Sequence, residues 1–262
     1  MCRLLFYIPN NNPQKILTTF LKQAKQVKNT PDLENILDTD FHLDGCGFAW
    51  LNENKWYCQK FVQIPQSINL PESSLYVGHL RSQGDSIASP ALQNCHPFVH
   101  DKYIFCHNGK IFDYAFPILL EYIDPQLVPN IQGQTDSESI FYLLLSFIKS
   151  GATLVEAIQK FHAQMNILKK HYIGNFIFSD CSQVVITRLS NSVDYHPCSL
   201  YYDGLLISSE PLSNNYKLFP EQYYALIDIT TKSLQIQPLV APKLPWDQVQ
   251  FSSSDSNIFA LP

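Results

Sequence analysis

Two helix-start signals in the middle of the chain constrain its fold more than any other feature. Thr135 followed three residues later by Glu138 opens GQTDSESIFYLLLSFIKSG, and Thr153 followed by Glu156 opens TLVEAIQKFHAQM. Each is a capping box, in which a hydroxyl and a carboxylate satisfy the free amides of a first helical turn. The first helix is predicted to stop at Gly151, and the second to bury Leu154, Ile158, Phe161 and Met165, so the two pack as neighbours. Strand-like runs flank this pair on both sides. Upstream are residues 46–51 (CGFAWL), 56–62 (WYCQKFV), 75–81 (LYVGHLR) and 103–107 (YIFCH). Downstream are YIGNFIFSD, QVVITRL, SLYYDGLLISS, YYALIDI and SLQIQPL, with Asp203-Gly204 as a hairpin turn. A further helix over Pro13–Asn29 places Ile16, Leu17, Phe20, Leu21, Ala24 and Val27 on one face. Strands, then helices, then strands predict one α+β domain with antiparallel sheet over residues 1–238. The remaining segment, 239–262, is rich in Pro and Ser and is expected to drape over the surface as a tail.

Composition removes several function classes. The 262 residues carry 16% charged side chains and a net charge of −5, which leaves no basic footprint for nucleic acid. The opening apolar run, Leu4–Ile8, is too short for a signal-peptide core, and no stretch approaches the ~18 to 20 apolar residues of a membrane span. A cytoplasmic protein is expected, with no membrane partner. Seven cysteines form no CxxC pair, so reduced thiols are expected, most of them buried as small hydrophobes, as around Cys58 and Cys106. Cys2 is the exception. Its small side chain permits removal of Met1, which would leave a thiol and a free α-amine on one residue.

Three polar stretches are not required by packing. In GHLRSQGDS, Arg81 closes a strand; it is either a solvated strand end or a guanidinium fork for a carboxylate, a role lysine does not reproduce. In YIFCHNGKIF, Asn108-Gly109 reads as a tight turn or as two oxyanion donors, a side-chain amide and a backbone N–H. In TDSE, Asp136 either complements the helix dipole or accepts a substrate ammonium group. Cys95, His96, His100, Cys106 and His107 offer metal-ligand chemistry, but their spacing is irregular and Pro97 breaks any helical HxxxH face. No metal and no cofactor are expected. His79, His96 and His107 read better as structural groups, with His107 supporting the residues that follow it.

Taken together, Cys2 after Met1, then HLDGCG, GHLRSQG, HPF with HNG, TDSE, NFIFSD and SSEPLSNN resemble the class II, N-terminal nucleophile, glutamine amidotransferases. The resemblance is strongest to the short stand-alone, YafJ-like branch, whose relatives hydrolyse γ-glutamyl bonds in glutathione breakdown or ergothioneine synthesis, and it spans residues 2 to 235. It implies a four-layer αββα sandwich, two antiparallel sheets flanked by helices. It also implies that Cys2 is the nucleophile, that Asn108 and Gly109 form the oxyanion hole, that Arg81 binds the substrate α-carboxylate and that Asp136 holds the α-ammonium. His79, His107 and Gln83 are supporting positions. Two departures stand out: Cys46 replaces the family's usual Trp, and Gly84 replaces a Thr or Asn beyond the arginine, where Gln83 or Ser82 would have to substitute.

The implied chemistry needs no histidine base, because an α-amine with a pKa near 7.7 to 8.0 takes the thiol proton directly or through water. The expected substrate is glutamine or a γ-glutamyl compound. The chain leaves no room for an ammonia-using synthase, which favours simple amide hydrolysis over supply of ammonia to a partner subunit. A homo-oligomer is compatible with the sequence, and so is a catalytically silent binding or regulatory protein.

Overall fold

The apolar run that opens the chain is buried on both of its faces, and this sets the architecture. In a computed structural model describing residues 2–10, 12–25, 43–82, 88–114 and 116–239, strand β1 (Arg3–Tyr7) sends Leu4 and Phe6 into one core and Leu5 and Tyr7 into another. A strand with two buried faces must lie inside a sheet that is itself covered on both sides.

The chain continues through α1 (Gln14–Lys22), β2 (Cys46–Asn52), β3 (Lys55–Phe61), β4 (Tyr76–Leu80), β5 (Phe98–His100) and β6 (Tyr103–Ile111). The paired helices α2 (Asp136–Lys149) and α3 (Leu154–Ile167) follow. Strands then return as β7 (Tyr172–Ser179), β8 (Gln183–Ser190), β9 (Tyr201–Asp203), β10 (Leu206–Ser208), β11 (Lys217–Leu218), β12 (Tyr223–Asp228) and β13 (Ser233–Pro238). One sheet has seven strands in the order β11-β9-β10-β1-β4-β2-β3, and the other has six in the order β13-β12-β8-β7-β6-β5. Neighbouring strands run antiparallel throughout the recorded pairings, as in β1 against β4 and β6 against β7.

Three cores separate four layers. Phe20 and Leu17 of α1 pack with Leu5, Phe48 and Leu80 of the seven-stranded sheet. Leu4, Phe6 and Val77 meet Ile104, Ile177 and Ile186 between the sheets. Phe141 and Phe161 of α2 and α3 cover Phe105, Phe176 and Phe178 of the six-stranded sheet. The result is the expected αββα sandwich, and α2 and α3 are neighbours as their capping predicts.

Some boundaries differ from those the sequence suggests. α1 ends at Lys22 and a single 3-10 turn continues to Lys25; the rest of the predicted helix to Asn29 lies outside the described residues. So do Met1, Gln83, Gly84 and the tail beyond Leu239. Strand β6 does not stop at His107 but runs through Asn108-Gly109 to Ile111, so the Asn-Gly pair is strand and not turn. Among the described residues, no helix is long and apolar enough to cross a membrane.

Candidate active site

The antiparallel register places Arg3 opposite Leu80, so Cys2 stands across from Arg81 where both strands end. Cys2 is half-buried, and its Sγ lies 3.5 Å from the Ser82 amide and 3.6 Å from the Ser82 carbonyl. Burial pushes the Cys2 thiol pKa up, opposed by the Ser82 backbone hydrogen bond and the Arg81 charge. Arg81 is only 3% exposed. Its Nη1 donates to the Asp44 carbonyl at 3.3 Å and its Nη2 to the Ala88 carbonyl at 2.6 Å, and no carboxylate pairs with it among the described residues. Among the described residues, this guanidinium charge is thus held by neutral partners alone.

The next residue along, Arg3, is treated differently. Its Nε meets Glu210 Oε1 at 2.6 Å in a buried ion pair, and its Nη1 reaches the Cys2 carbonyl at 3.4 Å. Removing one member of such a pair leaves an uncompensated buried charge, at a cost of roughly 3–5 kcal/mol. The pair fixes the start of β1 to the segment after β10. Ser209 adds a second tie, because its Oγ accepts from the Leu4 amide at 2.8 Å and its amide donates to the Leu4 carbonyl at 3.0 Å.

Asn108 approaches from the other sheet. Along β6, Phe105 and Ile111 enter the helix-side core while Ile104 and Cys106 enter the core between the sheets, so alternation turns Asn108 inward, toward β1. Asn108 Nδ2 lies 3.5 Å from Ser209 Oγ, the same oxygen that holds Leu4. Ser209 therefore links the amide side chain of one sheet to the strand that carries Cys2 in the other. Gly109 is forced by its neighbours. It has φ +156°, and a Cβ there would sit 2.0 Å from the Ile173 carbonyl oxygen and 2.6 Å from His107 Nε2.

The histidines around this pair are structural by geometry. His107 Nε2 lies 3.1 Å from the Ile173 carbonyl, which can only accept, so Nε2 carries the proton, while Nδ1 faces the Ser137 oxygen at 3.0 Å, whose hydroxyl donates to Asp136 Oδ1 at 3.1 Å. Burial holds the His107 pKa below its usual value, against the pull of Asp136 and the Ile173 hydrogen bond, and the ring is neutral. His79 Nε2 donates across the sheets to the His107 carbonyl at 3.1 Å, one residue before Asn108.

Asp136, the first residue of α2, accepts from the Ile111 amide at 2.8 Å through Oδ2 and from the Ser137 amide at 2.7 Å through Oδ1. A carboxylate offers about four acceptor positions, so capacity remains. The bond to Ile111 docks the helix start onto β6, two residues beyond Gly109. Thus Cys2, Ser82 and Arg81 share one end of the β1–β4 strand pair, Asn108 is joined to β1 through Ser209, and Asp136 is joined to the Asn108 strand through Ile111. The supporting position Gln83 lies outside the described residues.

Other candidates are dispersed. Cys46 is fully buried in the α1-side core beside Phe48 and Leu80, with its thiol pKa pushed up to about 12 by burial. His96 packs against His79 with ring centroids 4.0 Å apart and the planes tilted by 34°, His100 faces Tyr142, and Cys106 and His107 point to opposite faces of β6. Among the described residues, no group of three or more His, Cys, Asp or Glu side chains converges as a metal site.

Three residues at the site were not singled out from the sequence: Ser209, Cys198 and Asn175. Cys198 Sγ lies 3.8 Å from Asn108 Oδ1, and the Cys198 carbonyl accepts from Asn175 Nδ2 at 2.9 Å and from Arg188 Nε at 3.1 Å. Asn175 sits opposite Asn108 in the β6–β7 register and is fully buried, and its Oδ1 finds no hydrogen-bond partner among the described residues. An unsatisfied buried acceptor costs on the order of 1–3 kcal/mol. The only sequence signal was a polar residue inside an apolar strand, as in YIGNFIFS.

Two face-to-face antiparallel sheets between helical layers, with polar groups gathered where the inner strands end, define a sandwich of the N-terminal nucleophile hydrolase type. The family profile for glutamine amidotransferases class-II matches residues 34–198, a segment that contains Arg81, Asn108, Gly109 and Asp136, and the chain belongs to that family. It is similar to the probable glutamine amidotransferase DUG3 of Saccharomyces cerevisiae, at 23% identity over 275 residues, covering 83% of this chain and 73% of the relative. Among solved structures, it resembles a glutamine aminotransferase class-II domain protein from Silicibacter pomeroyi, with TM-score 0.56 and 18% identity over 92% of this chain and 100% of the other. It also resembles the glutamine phosphoribosylpyrophosphate amidotransferase of B. subtilis, with TM-score 0.61 and 15% identity, covering 92% of this chain and 50% of that one.

Proposed function

We propose that this protein hydrolyses the γ-amide bond of glutamine or a γ-glutamyl compound, using Cys2 as nucleophile. The observation that carries the proposal is Arg81: a nearly fully buried guanidinium, across the strand pair from Cys2, with no carboxylate partner among the described residues. Such a site suits an anionic ligand, and the α-carboxylate of a free amino acid supplies the charge. Asp136, with acceptor capacity to spare, takes the α-ammonium. Reading both charged groups of the head leaves the γ-carbonyl as the group presented to the thiol.

Cys2 Sγ then attacks the γ-carbonyl carbon. The proton passes to the α-amine of Cys2, freed by removal of Met1, and from there to the departing nitrogen. Asn108 Nδ2 and the Gly109 N–H stabilise the oxyanion, each donor being worth roughly 2.7 to 4 kcal/mol in comparable sites. Water releases glutamate from the thioester. Because the α-amine must be uncharged to take the thiol proton, the rate is expected to rise with pH through the neutral range.

The test combines intact-protein mass with a diazoketone analogue of glutamine and a glutamate-release assay. Loss of Met1 and one label on Cys2 are expected. Cys2→Ser should abolish glutamate release and Cys106→Ser should not. A retained Met1, an unlabelled Cys2, or equal loss in both variants would refute the proposal. A panel of glutamine, glutathione and other γ-glutamyl compounds then identifies the leaving group.

A further inference from the structure

We infer that Cys198, held by Asn175, is a positioning residue that sets the orientation of the Asn108 side-chain amide. The inference rests on the proposed role of Asn108 as an oxyanion donor and extends it.

An Asn amide has two nearly isosteric ends, of which only one stabilises a developing oxyanion. If Oδ1 faced the nucleophile, its lone pairs would repel the negative charge. What settles the choice is the group that meets the other end. In this site the Cys198 thiol stands 3.8 Å from Asn108 Oδ1, within reach for a sulfur donor, while Ser209 Oγ stands 3.5 Å from Nδ2. Ser209 Oγ accepts from the Leu4 amide with one of its two lone pairs, and the other can receive Nδ2 on the side of β1. Thiol at one end and hydroxyl oxygen at the other turn the donor toward the strand that carries Cys2.

The thiol itself needs to be placed, because Cys198 lies outside any strand or helix, between β8 and β9. Its carbonyl is gripped by two donors from adjacent strands, Asn175 Nδ2 at 2.9 Å and Arg188 Nε at 3.1 Å. Arg188 is fixed in turn through the Phe219 carbonyl at 2.8 Å and Glu221 Oε1 at 3.1 Å. Asn175 uses its amide donor for this grip and leaves Oδ1 without a partner among the described residues. A structural asparagine would be expected to use both ends. Breaking a local rule without local return is the mark of a residue working for its neighbour. Asn175 also faces Asn108 directly in the register of β6 and β7, so grip and target share one face of the sheet.

The experiment is a double-mutant cycle on the full chain, reading kcat and KM for glutamate release from glutamine, with the thermal midpoint of each variant as a check on folding. Cys198→Ala is expected to lower kcat roughly tenfold, a fraction of the 10²–10³ carried by a whole oxyanion donor, with KM unchanged. Cys198→Ser, which keeps a donor, should recover part of the loss, and Asn175→Ala should reproduce it. In the Asn108→Ala background, Cys198→Ala should have no further effect, because the amide it orients is gone. Full kcat in Cys198→Ala, or a loss that multiplies with that of Asn108→Ala, overturns the inference while leaving the hydrolase proposal standing. A wild-type protein that neither releases glutamate nor takes the diazoketone label on Cys2 overturns both.

Discussion

Gly109 shows how closely the residues of this site are fitted. In sequence the Asn-Gly pair is most simply a turn, yet the structure keeps it inside β6, and the glycine is needed because the Ile173 carbonyl of β7 occupies the space a Cβ would take. Backbone cannot retreat from a 2.0 Å approach as a flexible side chain can. Gly109→Ala is therefore expected to cost at least about 3 kcal/mol, with loss of activity. Gly204 is the control: it has φ +56° and nothing within 4 Å of a new Cβ, so Gly204→Ala should cost only about 1–2 kcal/mol. Urea midpoints of the two variants check this, and equal costs would refute it. Cys2, Arg81, Asn108 and Asp136 stood out in the sequence as candidates because each is a reactive or polar group that packing does not require, and because together they carry the family resemblance. Ser209 and Cys198 were not, since they act on Asn108 from 101 and 90 residues away, and no spacing rule reaches that far.

The two helix starts looked alike in sequence and differ in structure. At α3 the capping box is complete: Thr153 Oγ1 accepts from the Glu156 amide and the Glu156 carboxylate accepts from the Thr153 amide at 2.8 Å. At α2 only half of it forms. Thr135 Oγ1 accepts from the Glu138 amide at 3.2 Å, but the Glu138 carboxylate turns back to the Gln132 amide at 3.0 Å and the Gly133 amide at 2.6 Å. Glu138 thereby organises the loop that delivers Asp136. The end of α2 was read correctly, because Gly151 at φ +96° closes it, with the Ala152 amide donating to the Phe147 carbonyl at 3.1 Å. Both caps should be worth about 1 kcal/mol to stability. Their functional weight differs. Thr153→Ala should lower the thermal midpoint and leave KM for glutamine unchanged, whereas Thr135→Ala should also raise KM, because Asp136 follows the cap directly. An unchanged KM in Thr135→Ala would separate the helix start from substrate binding.

At the scale of the molecule, strand existence was legible but sheet assignment was not. β1 pairs with β10 about two hundred residues later, as in Leu5 with Ser208, and its uniformly buried residues carry no period-2 signal to say which face meets which partner. The layered interior that results has a further consequence, since it encloses His79, His96 and His107 near the junction of the two sheets. His96 packs against the His79 ring, and neither of its ring nitrogens finds a hydrogen-bond partner among the described residues. Burial, reinforced by the neighbouring His79 and His107, lowers the His96 pKa well below its usual value, and burial lowers that of His107. In the unfolded chain both take a proton near pH 6.5, while in the folded chain they remain neutral further into the acid range. The unfolded state therefore binds more protons below pH 6.5, and stability falls as pH falls, by up to about 1.4 kcal/mol per pH unit for each such histidine. Glu138, whose carboxyl pKa is raised by burial, works in the opposite sense and moderates the slope. Urea midpoints at about pH 7.5 and 5.5 should show a clear loss at the lower value. His96→Phe, which keeps a ring against His79 and Phe98, should remove the His96 share of that loss. A stability that stays level or rises toward pH 5.5 would mean that the buried histidines are charged in the folded protein, and would reverse the assignment of His107 as a neutral ring.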